Sequence, residues 1–404
     1  MSIDTLRADF PILARQVHGK ALVYLDNAAT THKPYSVTDR IVAFYENENA
    51  GINRSLHALA DEAGTAYEAA REAVRAYLNA HSSSEIVFTS GTTESINLIA
   101  ATFGEAFVRE GDEIVVTAME HHANLVPWQR LCNKTGAVLR VVPIDESGVL
   151  RLDSLEELIN GRTRLVTVTH VSNVTGIVNP VSEITAMAHA RDVPVLIDGA
   201  QAIAHHAIDV AALDCDFYVF SGHKIYSAAG IGVLYGKHHW LDSLPPHHSG
   251  GGMVTSVSLE HSHFERAPLR FEPGTRNVAG AVSLEAALEY VMALGMEEIT
   301  SHEGALLRRL EEGLREMKGT TVHGEADRRC CSLSFNLDAA HPADVGMVLD
   351  KLGIAVRTGT HCAQPYVDAI AGKATIRASV ALYNTRKDID KLLDGIERAA
   401  VILR

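Results

Sequence analysis

Six short runs rich in Val, Ile, Leu and Phe between residues 85 and 240 constrain this chain more than any other feature: EIVFTS, DEIVVTAM, RLVTVTHVS, VPVLIDGAQAIAH, DFYVFSGHK and GIGVLYG. Amphipathic stretches such as TTESINLIAATF and NLVPWQRLC separate the first of them. Runs this apolar offer no polar face to water, so each reads as a strand covered on both sides, with the intervening helices as covers. The fold class is therefore α/β with a mostly parallel sheet. After a glycine-rich stretch, PPHHSGGGMV (245–254), the pattern turns helical near residue 285, in LEAALEYVMALGMEEI and HEGALLRRLEEGLREM. CCSLSFNL, ADVGMVLDKLG, IAVRTG, TIRASVALYN and a last helix, DIDKLLDGIERAAVIL, then read as a smaller α+β unit. A chain of 404 residues can support both. The expected division is a large domain over 21–284 and a small domain made of 1–20 and 285–404.

The 36 Lys and Arg against 50 Asp and Glu leave a formal charge of −14, which repels nucleic acid and anionic membrane. A phosphate-bearing ligand would need a local pocket. The N-terminal MSIDTLRADFPIL reads as the start of an amphipathic helix, without the basic segment and apolar run of a signal peptide. Apolar runs elsewhere are broken well before the roughly 20 residues of a membrane span. Cys132, Cys215, Cys330, Cys331 and Cys362 are too irregularly spaced for a disulfide framework and include no CxxC pair. The expectation is a cytoplasmic protein that binds neither nucleic acid nor membrane.

In an open α/β sheet ligands sit beyond the carboxyl ends of the strands, which makes the residues after each run informative. Gly91-Thr92-Thr93-Glu94 follows EIVFTS and opens a helix, where hydroxyls and free N–H groups suit a phosphate, although a hydroxyl there also serves as a plain cap. His121 follows DEIVVTAM, placed to stack on a planar ring, to move protons, or simply to fill a structural role. Asp198, with Gln201 after it, stands where a carboxylate would keep a pyridine nitrogen protonated. Ser221, His223 and Lys224 follow DFYVF, and a lysine ending an apolar strand is poorly explained as solvated surface. That amine suits a Schiff base.

Phosphate cradle, imidazole, carboxylate and amine in this order resemble the fold-type-I pyridoxal-phosphate enzymes of the class V aminotransferase branch. YLDNAAT (24–30), GTTESINL (91–98), MEHHANLVPWQ (119–129), THVSNVTG (169–176), DGAQA (198–202), DFYVFSGHK (216–224), GTRNVAG (274–280), RTGTHCAQP (357–365) and RAS (377–379) are similar to the SufS/CsdA group of cysteine desulfurases. The resemblance implies a seven-stranded-type sheet, a homodimer and pyridoxal 5′-phosphate as cofactor. It implies that Lys224 binds the cofactor covalently, Asp198 faces the pyridine nitrogen, Gln201 the phenolic oxygen, and His121 stacks on the ring. Thr92, Thr93, Ser221 and His223 would hold the phosphate, and Thr275 would reach the phosphate of the partner subunit. Asn173 would lie near the ring oxygen and substrate, with Arg377 on the substrate carboxylate and Arg357 and His361 near Cys362. Lys224, His121 and Cys362 are the expected catalytic residues.

The implied reaction takes L-cysteine to L-alanine and leaves its sulfur as a persulfide on Cys362, for a SufE- or SufU-like carrier that feeds iron–sulfur cluster assembly. His341 resembles a position that SufU-type partners use. The residues of the loop already favour a reactive Cys362, since RTGTHCAQP sets it beside His361 and five residues after Arg357. Cys132 and Cys215 read as core filler, and Cys330-Cys331 as the opening of a strand with its side chains on opposite faces. The pairs His205-His206, His238-His239, His247-His248 and His261/His263 lack a completing ligand, so no metal site is expected. Three segments depart from the pattern: Asn53-Arg54-Ser55-Leu56-His57, Tyr226-Ser227-Ala228-Ala229-Gly230, and Thr360 before His361. The rival readings are a lyase acting on selenocysteine or cysteine sulfinate, which would not need Cys362, and a non-catalytic member of a sulfur-assembly complex.

Overall fold

A computed structural model describes residues 6–52, 55–338 and 340–403. Asn53 and Arg54, in the first of the departing segments, lie outside the described residues. The six apolar runs form strands β1 (Ile86–Thr89), β2 (Glu113–Thr117), β4 (Thr163–Thr169), β5 (Val195–Asp198), β6 (Phe217–Ser221) and β7 (Gly232–Gly236) around a further strand, β3 (Val138–Val142). They make one seven-stranded sheet in the order β1-β7-β6-β5-β4-β2-β3. Only β7 runs against the rest; it is antiparallel to both β1 and β6. The mostly parallel sheet is thus as expected, and in β1, β2, β5, β6 and β7 every residue is buried, as strands covered on both faces require.

Sequence reasoning missed β3. It is the edge strand, with Arg140 in its middle and Val138 and Val141 exposed, so it carries no continuous buried run. The helical pattern also begins earlier than residue 285. Helix Val278–Leu294 runs through that position, and its first seven residues are all buried, so no polar face marks its start. Among the described residues no single helix is long and apolar enough to cross a membrane.

Beyond this helix the chain builds a second sheet. Strands Thr320–His323, Ser332–Leu337, Thr375–Ser379 and Arg357–Gly359 lie in that order, each antiparallel to its neighbour. Helices Met296–Glu316, Pro342–Lys351 and Arg386–Ile402 bury Leu310, Leu349 and Leu392 in a core shared with this sheet. Val23–Tyr24 pairs in parallel with Ile354–Ala355, and Asp26 bridges to Ser379, which brings the YLDNAAT segment to the second sheet.

A buried charge cluster ties the segment before Thr275 to the large sheet. Both guanidinium nitrogens of Arg71 donate to Glu272, at 2.7 and 2.9 Å, while Phe88 N (2.8 Å) and Tyr67 Oη (3.0 Å) donate to the same carboxylate. Glu272→Ala would leave buried Arg71 with only the exposed Glu68 carboxylate as counter-charge. It is expected to cost about 3–5 kcal/mol, measured by urea unfolding, with Glu272→Gln intermediate.

Candidate active site

Strands β1, β2, β4, β5 and β6 run in one direction, so their carboxyl ends meet at one edge of the sheet, facing the second sheet. The cavity there is lined by Thr92, Thr93, His121, Asn173, Asp198, Gln201, Ser221, His223, Lys224, Arg357 and Arg377. Two sequence-predicted residues do not line it. Cys362 stands beside it on the loop carrying His361, which does line it, and Thr275 borders a separate cleft with Gly51, Ile52 and Gly252.

At the end of the cavity formed by the helix start, Thr92 N donates to Ser221 Oγ at 2.8 Å, and the two hydroxyls lie 2.8 Å apart. These bonds fix β6 to the start of helix Thr92–Phe107, which has no side-chain cap of its own. Gly91 precedes it at φ +154°, a conformation that suits glycine, and a Cβ there would crowd Ser221 Oγ at 3.1 Å. A capless helix start flanked by hydroxyls is the donor set an anion needs. The His223 carbonyl accepts from Thr31 N at 3.1 Å, holding the lysine turn against the chain that follows YLDNAAT. Gln201 Nε2 donates to Ala28 O at 2.9 Å, holding the same segment from the other side.

Lys224 is half-buried in the cavity wall, and desolvation there, only partly offset by Asp198, pushes its amine down to about 8. Burial also pushes the Asp198 carboxyl up, against a hydrogen bond from Ala200 N at 2.9 Å and the attraction of Lys224. A buried carboxyl that is costly to ionise gains from a protonated ring nitrogen opposite it. His121 Nδ1 accepts from Ala123 N at 3.0 Å, which assigns the ring proton to Nε2. Burial, with Lys224 next in effect, pushes His121 down to about 3, so it stays neutral at physiological pH.

Competitive acetylation of the protein freed of cofactor would measure the amine. Lys224 labelling is expected to rise with pH to a midpoint near 8, while exposed lysines titrate near about 10.4. A midpoint shared with the exposed lysines would contradict the burial argument.

The second sheet supplies the cations. Arg357 and Arg377 are direct partners in adjacent strands, so two guanidinium groups share one face. Like charges opposite one another are unfavourable unless an anion joins them. Arg377 donates to Asn173 O at 2.8 Å and Asp26 Oδ1 at 2.9 Å, while its buried Nε has no partner. Burial lowers its pKa, and Asp26 opposes that effect. Among the described residues lining the cavity, His361 Nδ1 is also buried without a partner. An amine, a buried carboxyl, a capless helix start and an unpartnered guanidinium nitrogen on one cavity fit pyridoxal 5′-phosphate as a ligand.

Arg357 Nη2 stands 3.6 Å from Cys362 Sγ. Asn173 Nδ2 donates to His361 O at 2.7 Å, and His361 Nε2 lies 2.8 Å from Thr375 Oγ1. His361 and Cys362 are successive left-handed residues, at φ +53° and +58°. Each costs about 1–2 kcal/mol relative to ordinary helix geometry, so the contacts around them must hold the turn. None of the other thiols lines the cavity, although Cys331 lies near enough to act on the charges of Lys224 and Arg377. Burial pushes Cys132 up to about 11 and Cys215 up as well. Cys330 and Cys331 are both buried, and Cys331 takes φ +52° just before the strand at Ser332, so the alternation expected of a strand does not apply to them.

Two residues escaped sequence reasoning. Asp26 orients Arg377, and the signal was its place inside YLDNAAT. Glu120 is buried behind His121, accepting from Thr117 Oγ1 and Asn124 Nδ2 at 2.6 Å each and from Thr169 N at 2.9 Å. Burial pushes it up to about 8. Its signal was a lone acid in an apolar strand end. The departing turn after Lys224 has its own support: Ser227 Oγ and Ser283 Oγ lie 2.8 Å apart, both fully buried, tying it to helix Val278–Leu294. His341 is exposed, and its Nδ1 accepts from Ala343 N at 3.2 Å as the cap of helix Pro342–Lys351.

A sequence model of the aminotransferase class-V family matches residues 23–392. The chain is 49% identical over 396 residues to a cysteine desulfurase of Synechococcus elongatus, covering 98% of this chain and 63% of that protein, just under two thirds of its length. It is 48% identical to a cysteine desulfurase of Enterobacter sp., covering 98% of both. Among solved structures, the cysteine desulfurase CsdA of Escherichia coli, in an S-sulfonic acid form, superposes over 100% of both chains with a TM-score of 0.92 at 39% identity. The apo cysteine desulfurase of Thermococcus onnurineus covers 99% of both with a TM-score of 0.94 at 35% identity. This chain therefore belongs to the aminotransferase class-V family and, within it, to the cysteine desulfurases.

Proposed function

We propose that this protein is a pyridoxal-phosphate-dependent cysteine desulfurase that converts L-cysteine to L-alanine and takes the sulfur onto Cys362. The observation that carries the reading is Cys362 on a strained, multiply tethered loop with Arg357 Nη2 3.6 Å from its sulfur, beside the cavity that holds Lys224 and Asp198. A lyase acting on selenocysteine or cysteine sulfinate needs the amine and the carboxyl but not the thiol. A non-catalytic scaffold needs none of them.

Pyridoxal 5′-phosphate, when bound, supplies the electron sink for charge developing at the substrate Cα. Asp198 would hold the proton on its ring nitrogen, and His121, in its neutral form, would line the space beside the ring. The substrate carboxylate joins Arg377 and Arg357, relieving their mutual repulsion. Lys224, with a pKa about 8, takes the Cα proton and returns a proton later, because its pKa lies near the working pH. Cys362, as thiolate, attacks the substrate sulfur: the S–S bond forms as the Cβ–S bond breaks, and the electron pair stays with the carbon skeleton. That skeleton takes up a proton and leaves as alanine, while Cys362 keeps the persulfide.

Thr275, away from the cavity of its own chain, would serve the phosphate of a second subunit, so the working form is a homodimer. In this reading the large domain, 21–284, would hold phosphate, ring and amine, and the small domain, 1–20 and 285–404, would supply the arginines and the thiol. The persulfide passes to a SufE- or SufU-like carrier in the cytoplasm, for iron–sulfur cluster assembly. Product analysis tests the reading: one alanine per sulfur from L-cysteine, with the sulfur trapped on Cys362 by alkylation. Selenide or sulfite from the analogous substrates at higher kcat/KM, with no sulfur on Cys362, would favour the lyase.

A further inference from the structure

One residue of the turn beside the cavity grips the thiol loop at two points, at the thiol residue and just after it. His122 N donates to Cys362 O at 2.6 Å, and Gln364 N donates to His122 Nε2 at 3.1 Å. Gln364 opens helix Gln364–Ala371, whose N-cap residue Ala363 provides no side-chain cap. The imidazole therefore caps that helix from a position 242 residues away in sequence. Accepting at Nε2 assigns its proton to Nδ1. The first gripped position is Cys362 itself, in a left-handed conformation that a residue with a side chain adopts only under constraint.

The grip begins on rigid ground. His122 opens a single turn, His122–Asn124, capped by His121, whose ring lines the cavity. Asn124 at its end is locked by Glu120, Trp128 Nε1 and Thr167 Oγ1, at 2.6, 3.0 and 2.8 Å. The same turn thus presents one imidazole to the cofactor cavity and the next to the thiol loop.

We propose that His122 is a positioning residue for Cys362, fixing the turn so that the sulfur stays beside Arg357 at the cavity rim. This deepens the desulfurase reading and rests on it for the role of the thiol. The test compares wild type, His122→Ala and His122→Gln as holoenzymes. The alanine variant removes the acceptor for Gln364 N, and the glutamine variant offers Oε1 in the place of Nε2.

Amide exchange at Gln364 is expected to be about tenfold faster in His122→Ala, the worth of one such hydrogen bond. Single-turnover persulfide formation on Cys362 should fall about fivefold, with half-saturating L-cysteine and visible absorption unchanged. His122→Gln should recover most of both. Unchanged exchange in the alanine variant, exchange that rises without slower persulfide formation, or a glutamine variant no better than alanine would each overturn the proposal. A wild type that forms no persulfide on Cys362 fails the desulfurase reading itself, a separate result, and exchange at Gln364 still decides whether the grip exists.

Discussion

Lys224→Ala is expected to abolish both the borohydride-sensitive visible absorption of the purified protein and its turnover of L-cysteine, the latter by about 10⁴-fold or more. The effect is large because one amine does two jobs. It is the site of covalent attachment, and it is the base nearest the work. Its half-buried setting supports both: desolvation brings its pKa to about 8, so a useful fraction is neutral near pH 7. Arginine at this position would keep a charge and cannot substitute. The fold should survive, since the change removes a half-buried amine whose charge is unfavourable there. Near-ultraviolet circular dichroism and urea midpoint are the controls. Absorption that remains sensitive to borohydride in the alanine variant would show that another group holds the cofactor, and the assignment of Asp198 and His121 around it would fall too.

Cys362→Ala is expected to leave the visible absorption intact and cut alanine formation from L-cysteine by about 10³-fold, because the sulfur no longer has a nucleophile to leave to. The proton transfer at Cα uses Lys224 and not the thiol. Exchange of the Cα hydrogen of L-cysteine with solvent deuterium should therefore continue in this variant. That pairing separates the readings sharply. Loss of turnover with exchange retained is the desulfurase result. Turnover at the wild-type rate would show the thiol to be dispensable and would hand the site to the lyase. No exchange in wild type or variant would leave only the non-catalytic scaffold.

Much of the architecture was legible because the sheet is buried on both faces. Strands β1, β2, β5, β6 and β7 are buried along their whole length, and the apolar runs at their centres show it in the sequence. The same rule explains the miss at β3, an edge strand whose exposed valines and Arg140 resemble a loop. It also explains the late start assigned to helix Val278–Leu294. Buried on all sides at its beginning, that helix has no hydrophilic stripe to set its period, whereas Met296–Glu316 after it has one and was plain. At Cys330-Cys331 the error was of another kind: alternation presumes a strand, and the left-handed Cys331 lies just outside one.

The sequence by itself determined which chemical groups stand at the strand ends. A parallel strand delivers its next residues to one edge of the sheet, so Thr92, His121, Asp198, Ser221 and Lys224 were bound to converge wherever the helices lay. What only the tertiary structure decided are the contacts between the two sheets. Arg377 meets Asp26 across 351 positions, and Gln364 meets His122 across 242. No periodicity encodes such pairs, because neither partner's local geometry depends on the other until the chain has closed. Glu120 was hidden for the same reason: an acid at a strand end looks like surface until the network that satisfies it is built around it. The amine and carboxyl of this site are therefore written in local pattern, whereas the placing of its thiol and of its carboxylate-binding arginines arises from long-range hydrogen bonds that exist only in the folded chain.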